Sequence, residues 1–283
     1  MLYGVAKMHT LYEITNAITE ILQFNYNDET INIPIGMVIG PTDKTMQSQI
    51  PIKKVGISLN LSAYSIARAV NKKNDLIISY EPLFYSCIKK IDYILLRKIR
   101  LLAQERVYVF VLGEPLLYAE NGINDTLLGL LEIKDTKVIE LKTNSSYTEI
   151  AKRFKIGYLP REIMVREIAR DIGKKVGSHH VKIFGNPTDF VRGIAFIGGA
   201  LSDKNIVDIL KSFKVDAVIT GEVNYKIQTY LQDTQLNAIV IGYTNSIKPG
   251  LKVFKSLLQL KIPKVEVNLL DTDDFLVSEI NIT

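Results

Sequence analysis

The feature that most constrains this chain is a strand–helix–strand rhythm that runs through most of its length and occurs in two matching copies. Apolar, β-branched runs over residues 54–60, 75–80 and 107–112 alternate with amphipathic stretches over 63–73, 93–105 and 123–131. Further on, runs over 193–197, 216–220, 238–242 and 265–270 alternate with helical patterns near 204–213, 224–232 and 250–260. Short apolar runs of this kind read as strands, and the stretches between them are long enough for a crossover helix. Parallel strands cannot be joined by a tight turn, so each helix returns the chain to begin the next strand. The fold class is therefore α/β with mainly parallel sheets.

The matching copies are VGISLNLSAYSIARAVNKKNDLIISYEP over 55–82 and RGIAFIGGALSDKNIVDILKSFKVDAVITGEV over 192–223. Gly56 answers Gly193, Leu61 and Ser62 answer Leu201 and Ser202, Asp75 answers Asp216, and Glu81 answers Glu222. A PTD triplet precedes each copy, at 41–43 and 187–189. Matched acids and glycines predict an internal duplication, and hence two related α/β lobes, 1–135 and 136–283. Between the copies the pattern predicts a strand over 138–141, a helix over 161–176 opened by Pro160 and closed by Gly177, and a strand over 181–184. Ser62 and Ser202 read as helix N-caps before they read as nucleophiles.

Composition narrows the class. With 47% hydrophobic and 23% charged residues the chain is globular rather than disordered. No apolar run approaches the ~20 residues that cross a bilayer, and the N-terminal stretch lacks the layout of a signal peptide, so no membrane partner and a cytoplasmic location are expected. The single cysteine, Cys87, can form neither an internal disulfide nor a cysteine metal cluster and reads as structural. The net charge of +5 is spread as lysines among acids, which disfavours nucleic acid as a partner without excluding it. Lys72 and Lys73, and Arg97, Lys98 and Arg100, fall on predicted helices and read as solvated faces.

In parallel sheets ligands gather beyond the carboxyl ends of the strands, where helix N-termini present unpaired N–H groups. Those ends carry Tyr80 and Glu81, Gly113 and Glu114, Gly198 and Gly199, Thr220 to Glu222, and Gly242 to Thr244. Such a set could hold a hard cation through oxygen atoms, or a small anionic ligand through backbone N–H groups. Loop glycines and polar strand ends are also ordinary turn chemistry. There is no Walker A segment, GxGxxG, nucleophile elbow or HExxH.

The strand ends carry a resemblance. VDAVITGEVNYK (215–226), HVKIFG (180–185), VRGIAFIGG (191–199), NGIND (121–125) and IPIGMVIG (33–40) are similar, in order and spacing, to segments of the GTP cyclohydrolase 1 type 2 homologue family. These are the NIF-three-like dinuclear-metal proteins, and the resemblance spans nearly the whole chain. It implies the NIF-three-like fold, a homo-oligomer in the form of a toroidal hexamer, and pairing with a paralogue as a further arrangement. The family's ligands are an adjacent histidine pair, an aspartate, and a late histidine and glutamate four residues apart. By the resemblance these positions fall on Tyr80 and Glu81, on Leu117, and on Tyr243 and Ile247. None of the ligands is kept, and a lone carboxylate cannot hold two metal ions against water.

The reading that follows is a non-catalytic, metal-free binding or scaffold paralogue with no cofactor. Tyr80 and Tyr243 would fill the vacated volume, and the pocket candidates are Tyr80, Glu81, Glu114, Glu222 and Tyr243. The rival reading is a metal-assisted hydrolase of a nucleotide or cyclic substrate, with a divalent metal on Glu81, Glu114 and Glu222. Glu222 has a further reading, as a cap on the helix that follows it. His179 and His180 read as strand-edge or core residues, and His9 has no carboxylate or cysteine at ligand spacing.

Overall fold

The structure, a computed structural model, describes residues 8–26, 34–85, 88–141 and 152–270. Cys87, Ile33 and the first residues of the chain, on which the signal-peptide reading partly rests, lie outside the described residues. In chain order the elements are α1 (Leu11–Leu22), β1 (Gly36–Ile39), α2 (Lys44–Ser48), β2 (Lys54–Ser58), α3 (Ala63–Asn71), β3 (Leu76–Ser79), α4 (Tyr93–Gln104) and β4 (Tyr108–Val111). There follow α5 (Glu114–Tyr118), α6 (Ile123–Leu130), β5 (Asp135–Leu141), β6 (Lys152–Met164), α7 (Val165–Val176), β7 (Lys182–Phe184) and β8 (Phe190–Leu201). The chain ends its described part with α8 (Lys204–Ser212), β9 (Ala217–Val223), α9 (Tyr225–Thr234), β10 (Asn237–Val240), α10 (Tyr243–Lys261) and β11 (Glu266–Leu269).

Two compact units result: Met1–Gly113 with Lys255–Thr283, and Glu114–Phe254. The first has a five-stranded sheet in the order β1-β4-β3-β2-β11, parallel except for β1. Burial at every position of β3 matches its unbroken apolar run, as expected of a strand covered on both faces. The linear division at 135/136 puts the last strand in the C-terminal lobe. Instead β11 pairs with β2, Glu266 opposite Lys54 through Leu269 opposite Ile57, so this unit is made from both ends of the chain. The Leu270 side chain packs directly over Gly56, where a Cβ would lie 2.7 Å from Leu270 Cδ1.

The second unit has a six-stranded sheet in the order β5-β6-β8-β9-β10-β7. Its centre, β8-β9-β10, is parallel, while β5, β6 and β7 pair antiparallel at the margins. α7 buries Val165, Ile168, Ala169 and Ile172, the i, i+3, i+4, i+7 stripe of an amphipathic helix. It ends on Gly177 at φ 71°, the left-handed C-cap expected there.

Its start is a correction. The pattern opens the helix at Pro160, but Pro160 lies inside β6, where pairing with β8 slips between Tyr158 and Ile163. Proline has no N–H to give the ladder, so it occupies this irregularity. The helix begins at Val165, whose N–H donates to Asp189 O (3.0 Å), while Arg166 N–H donates to Pro187 O (3.0 Å). The second PTD triplet thus caps α7 with carbonyls, whereas in the first Asp43 caps α2 with its side chain, accepting from Met46 N at 3.0 Å. Two further boundaries shift. The N-cap of α8 is Asp203 rather than Ser202, and α10 begins at Tyr243, with Pro249 inside it, rather than at Gly250.

The two copies are built alike. Asp75 Oδ2 accepts from the N–H groups of Lys53 (2.8 Å) and Lys54 (2.9 Å). Asp216 Oδ2 accepts from those of Arg192 (2.9 Å) and Gly193 (2.8 Å). Lys73 and Lys214 both turn left-handed, at φ 56° and 55°. This equivalence sets Gly193 opposite Lys54, not Gly56. In the second copy β8 slips against β9 between Ile197–Thr220 and Ala200–Glu222, so that two residues, Gly198 and Gly199, stand against the single Gly221.

Candidate functional site

That slip organises the strand ends of the second unit. Gly199 adopts φ 71°; its N–H donates to Ser246 Oγ (2.8 Å) and its carbonyl accepts from Thr220 Oγ1 (3.4 Å). Gly198 N–H donates to Asn124 Oδ1 (2.8 Å), and Ser246 Oγ donates to Tyr243 O (2.7 Å). Thr220, Ser246 and Asn124 are all buried, and Asn124 Nδ2 has no partner among the described residues. On Gly221 a Cβ would sit 2.5 Å from both Gly199 O and Ser246 Oγ, so the backbones of β8, β9 and α10 meet here too closely for any side chain.

Over the same turn lie three apolar side chains. A Cβ on Gly198 would meet Ile123 Cγ2 at 2.5 Å, Leu117 Cδ1 at 3.0 Å and Ile247 Cδ1 at 3.5 Å. All three residues are buried. The Tyr243 ring lies over Gly199, its Cε2 3.4 Å from where a Cβ there would be. Glu222 follows this cluster on β9, opposite Ala200, and is exposed. The cap of α9 is Asn224, which accepts from Ile227 N at 2.9 Å, so Glu222 does not serve as that cap. Glu114 opens the short helix α5 and is also exposed.

Tyr80 and Glu81 belong to the first unit, where the ladder continues past β3. Tyr80 N–H donates to Ser58 O (3.0 Å), Glu81 N–H to Leu59 O (2.8 Å), and Gly113 N–H to Tyr80 O (3.1 Å). Tyr80 is buried and Glu81 half-buried. Glu81 is engaged by Tyr85, whose hydroxyl hydrogen-bonds to it. Desolvation of that hydroxyl, followed by the charge and hydrogen bond of Glu81, pushes the Tyr85 phenol above its ordinary range.

Among the described residues no three His, Cys, Asp or Glu side chains are grouped to hold a metal ion. His179 and His180 are exposed ahead of the edge strand β7, not in a core. His9 corrects its expectation too: its Nδ1 is 3.4 Å from Glu13 Oε2. That carboxylate also accepts from Thr10 N (2.8 Å) in the capping box of α1. Two cavities are open elsewhere, one of about 190 Å³ beside α1, Tyr26 and Gln47, and one of about 710 Å³ between α9 and the loop after β7. None of Tyr80, Glu81, Glu114, Glu222 or Tyr243 lines either of them.

Sequence reasoning named the strand ends, Thr220 among them, but missed Asn124 and Ser246. The NGIND segment contained the first of these. Nothing marked Ser246, because it was not read as part of a helix.

Together the fold and these strand ends define an α/β protein of two units, with its unusual residues gathered at the carboxyl ends of parallel strands. The chain belongs to the Duf34/NIF3 (NGG1p interacting factor 3) family, whose profile matches residues 9–274. It is 25% identical over 272 residues to a GTP cyclohydrolase 1 type 2 homolog of Clostridium perfringens, covering 95% of this chain and 96% of that one. A Bacillus subtilis protein of the same name is 31% identical over 130 residues, 45% of this chain and 32% of the relative. Among solved structures, a Bacillus cereus protein related to NIF3 superposes with a TM-score of 0.77 at 15% identity, over 98% of this chain and 100% of that one. Reduced HcgD from Methanocaldococcus jannaschii gives 0.76 at 20% identity, over 93% and 98%. At these identities the structural likeness bears on the fold.

Proposed function

We propose that this NIF3-family chain has given up the dinuclear centre and works as a binding or scaffold subunit. The observation that carries the reading is the packing over Gly198 and Gly199. The positions that the resemblance assigns to an aspartate, a histidine and a glutamate hold Leu117, Tyr243 and Ile247, and the two aliphatic ones are both buried over Gly198. Hydrocarbon offers a cation nothing, and a neutral phenol is a poor ligand for the divalent ions that imidazole and carboxylate select. At the histidine pair stand Tyr80 and Glu81, and the carboxylate is engaged by Tyr85. This donor set does not fit two metal ions.

In this reading small anionic ligands or partners are met at the strand ends of each unit by itself, through Tyr80 and Glu81 in the first and through Glu114, Glu222 and Tyr243 in the second. The subunit assembles as a homo-oligomer, a toroidal hexamer by family resemblance, in the cytoplasm, and a metal-competent paralogue is a natural companion. The test is metal content per chain, measured without chelators and again after incubation with zinc, manganese and magnesium, alongside light scattering. Well below one ion per chain with an intact oligomer is expected. Near-stoichiometric metal would overturn the reading and direct attention to Glu81, Glu114 and Glu222, and a monomer would remove the scaffold.

A further inference from the structure

The segment entering α4, with the first turn of that helix, exposes more apolar surface than a solvated helix end requires. Ile88, Ile91, Tyr93 and Ile94 are 40–71% exposed, and Tyr64 on the adjacent α3 is 53% exposed. Within α4 only Leu102 is buried. Cations are interleaved. Lys89, Lys90, Arg97 and Arg100 are exposed, the Arg97 guanidinium lies 5.8 Å from the centre of the Tyr93 ring, and Arg68 donates to the Tyr64 hydroxyl at 3.3 Å. From Ile88 to Arg100 the single acid is Asp92, which caps the helix by accepting from Leu95 N at 2.8 Å. A solvated face accounts for the lysines and arginines but not for three exposed isoleucines.

We propose that this face docks on an anionic lipid surface. The isoleucines enter the boundary between headgroups and acyl chains, the tyrosines sit at headgroup level, and the cations meet lipid phosphates and carboxylates. Charge selects this occupant. A second copy meeting this face about a two-fold axis would set Lys89, Lys90, Arg97, Lys98 and Arg100 against the same five cations, which repel. Nucleic acid would satisfy the cations and stack on the tyrosines while leaving the isoleucines in water. No helix among the described residues is long and apolar enough to cross a membrane, so the association is peripheral.

The full chain is sedimented with vesicles of phosphatidylcholine and phosphatidylserine, and with phosphatidylcholine alone. Binding to the anionic vesicles is expected to be at least about tenfold tighter and to weaken as salt is added. The pairs Ile91→Ser/Ile94→Ser and Lys89→Glu/Lys90→Glu should each weaken it by about tenfold or more. Circular dichroism and melting temperature should not change, because these side chains are exposed. Failure to sediment with anionic vesicles overturns the proposal, as does binding that survives the isoleucine pair. Self-association abolished by that pair would assign the face to a second copy. RNA binding that vesicles do not displace would assign it to nucleic acid.

Discussion

Replacing Ile247 with Glu restores the carboxylate that the family resemblance puts at this position, and so tests the metal-free reading directly. Ile247 has no exposed surface and shares the space over Gly198 with Leu117 and Ile123. Removing buried isoleucine forfeits about 2–3 kcal/mol, less what the methylenes of glutamate recover. Holding a carboxyl of ordinary pKa about 4.3 neutral at about pH 7 costs a further ~3.7 kcal/mol, at about 1.36 kcal/mol per unit. The expected loss is therefore roughly 5 kcal/mol, near the lower end of what a domain has to lose. The assay is urea unfolding followed by far-UV circular dichroism and by tyrosine fluorescence, since the chain has no tryptophan. Two probes matter because two compact units can unfold in separate steps. Ile247→Val serves as the volume control, at about 0.5–1.5 kcal/mol. A glutamate variant that loses less than about 2 kcal/mol would refute the reasoning, because its carboxylate would then have found water or a cation. Stability regained on adding zinc or manganese would mean that other ligands of a metal site still converge on this position.

Asp75→Ala and Asp216→Ala each strip one carboxylate from two backbone N–H groups and should cost a similar ~2–3 kcal/mol, with Asn costing about half; denaturant midpoints that differ widely between the two sites would break the equivalence of the copies. Tyr26 donates to Leu112 O at 2.8 Å, so Tyr26→Phe should cost about 1–1.5 kcal/mol. Burial holds the Tyr26 phenol well above its ordinary range. Its contribution is thus full below the unfolded value of about 10 and is lost as pH rises toward the folded one, and the phenylalanine variant should show a shallower alkaline limb in pH-dependent melts. Gly198→Ala, whose Cβ would meet Ile123 Cγ2 at 2.5 Å, should cost about 1–3 kcal/mol. Adding Ile123→Ala should show favourable coupling in a double-mutant cycle, and strict additivity would argue against the contact. Glu81→Gln should bring the Tyr85 titration, followed by phenolate absorbance, down toward the ordinary value; an unchanged curve would mean that Glu81 is not its partner.

The strand–helix rhythm was legible because a period of two or an unbroken apolar run is enforced locally, by burial of one or both faces of each strand. The echo of Asp75 in Asp216 was legible for the same reason: each acid caps the start of its neighbouring strand, so its distance from its own copy's elements is fixed. Pro160 misled because proline suits both a helix start and a strand irregularity, and only the partner strand β8 decides between them. The start of α10 is hidden in the sequence for a related reason. Pro249 looks like a boundary, yet the packing of Gly250 against Ile123, 2.7 Å from a Cβ there to Ile123 Cα, and of Ser246 against Gly199 holds the preceding turns helical.

The sequence by itself determined the α/β class, the family, and the identities of the residues standing where the family's ligands would be, because these depend on residue type and spacing along the chain. Tertiary structure decided the rest. It joined the last strand to the first sheet, put Asn124 and Ser246 against the Gly198–Gly199 turn, and brought Leu117 and Ile247, more than a hundred residues apart in the chain, over the same glycine. Such contacts are set by which backbones can approach closely, and that depends on glycines far apart in sequence meeting in space.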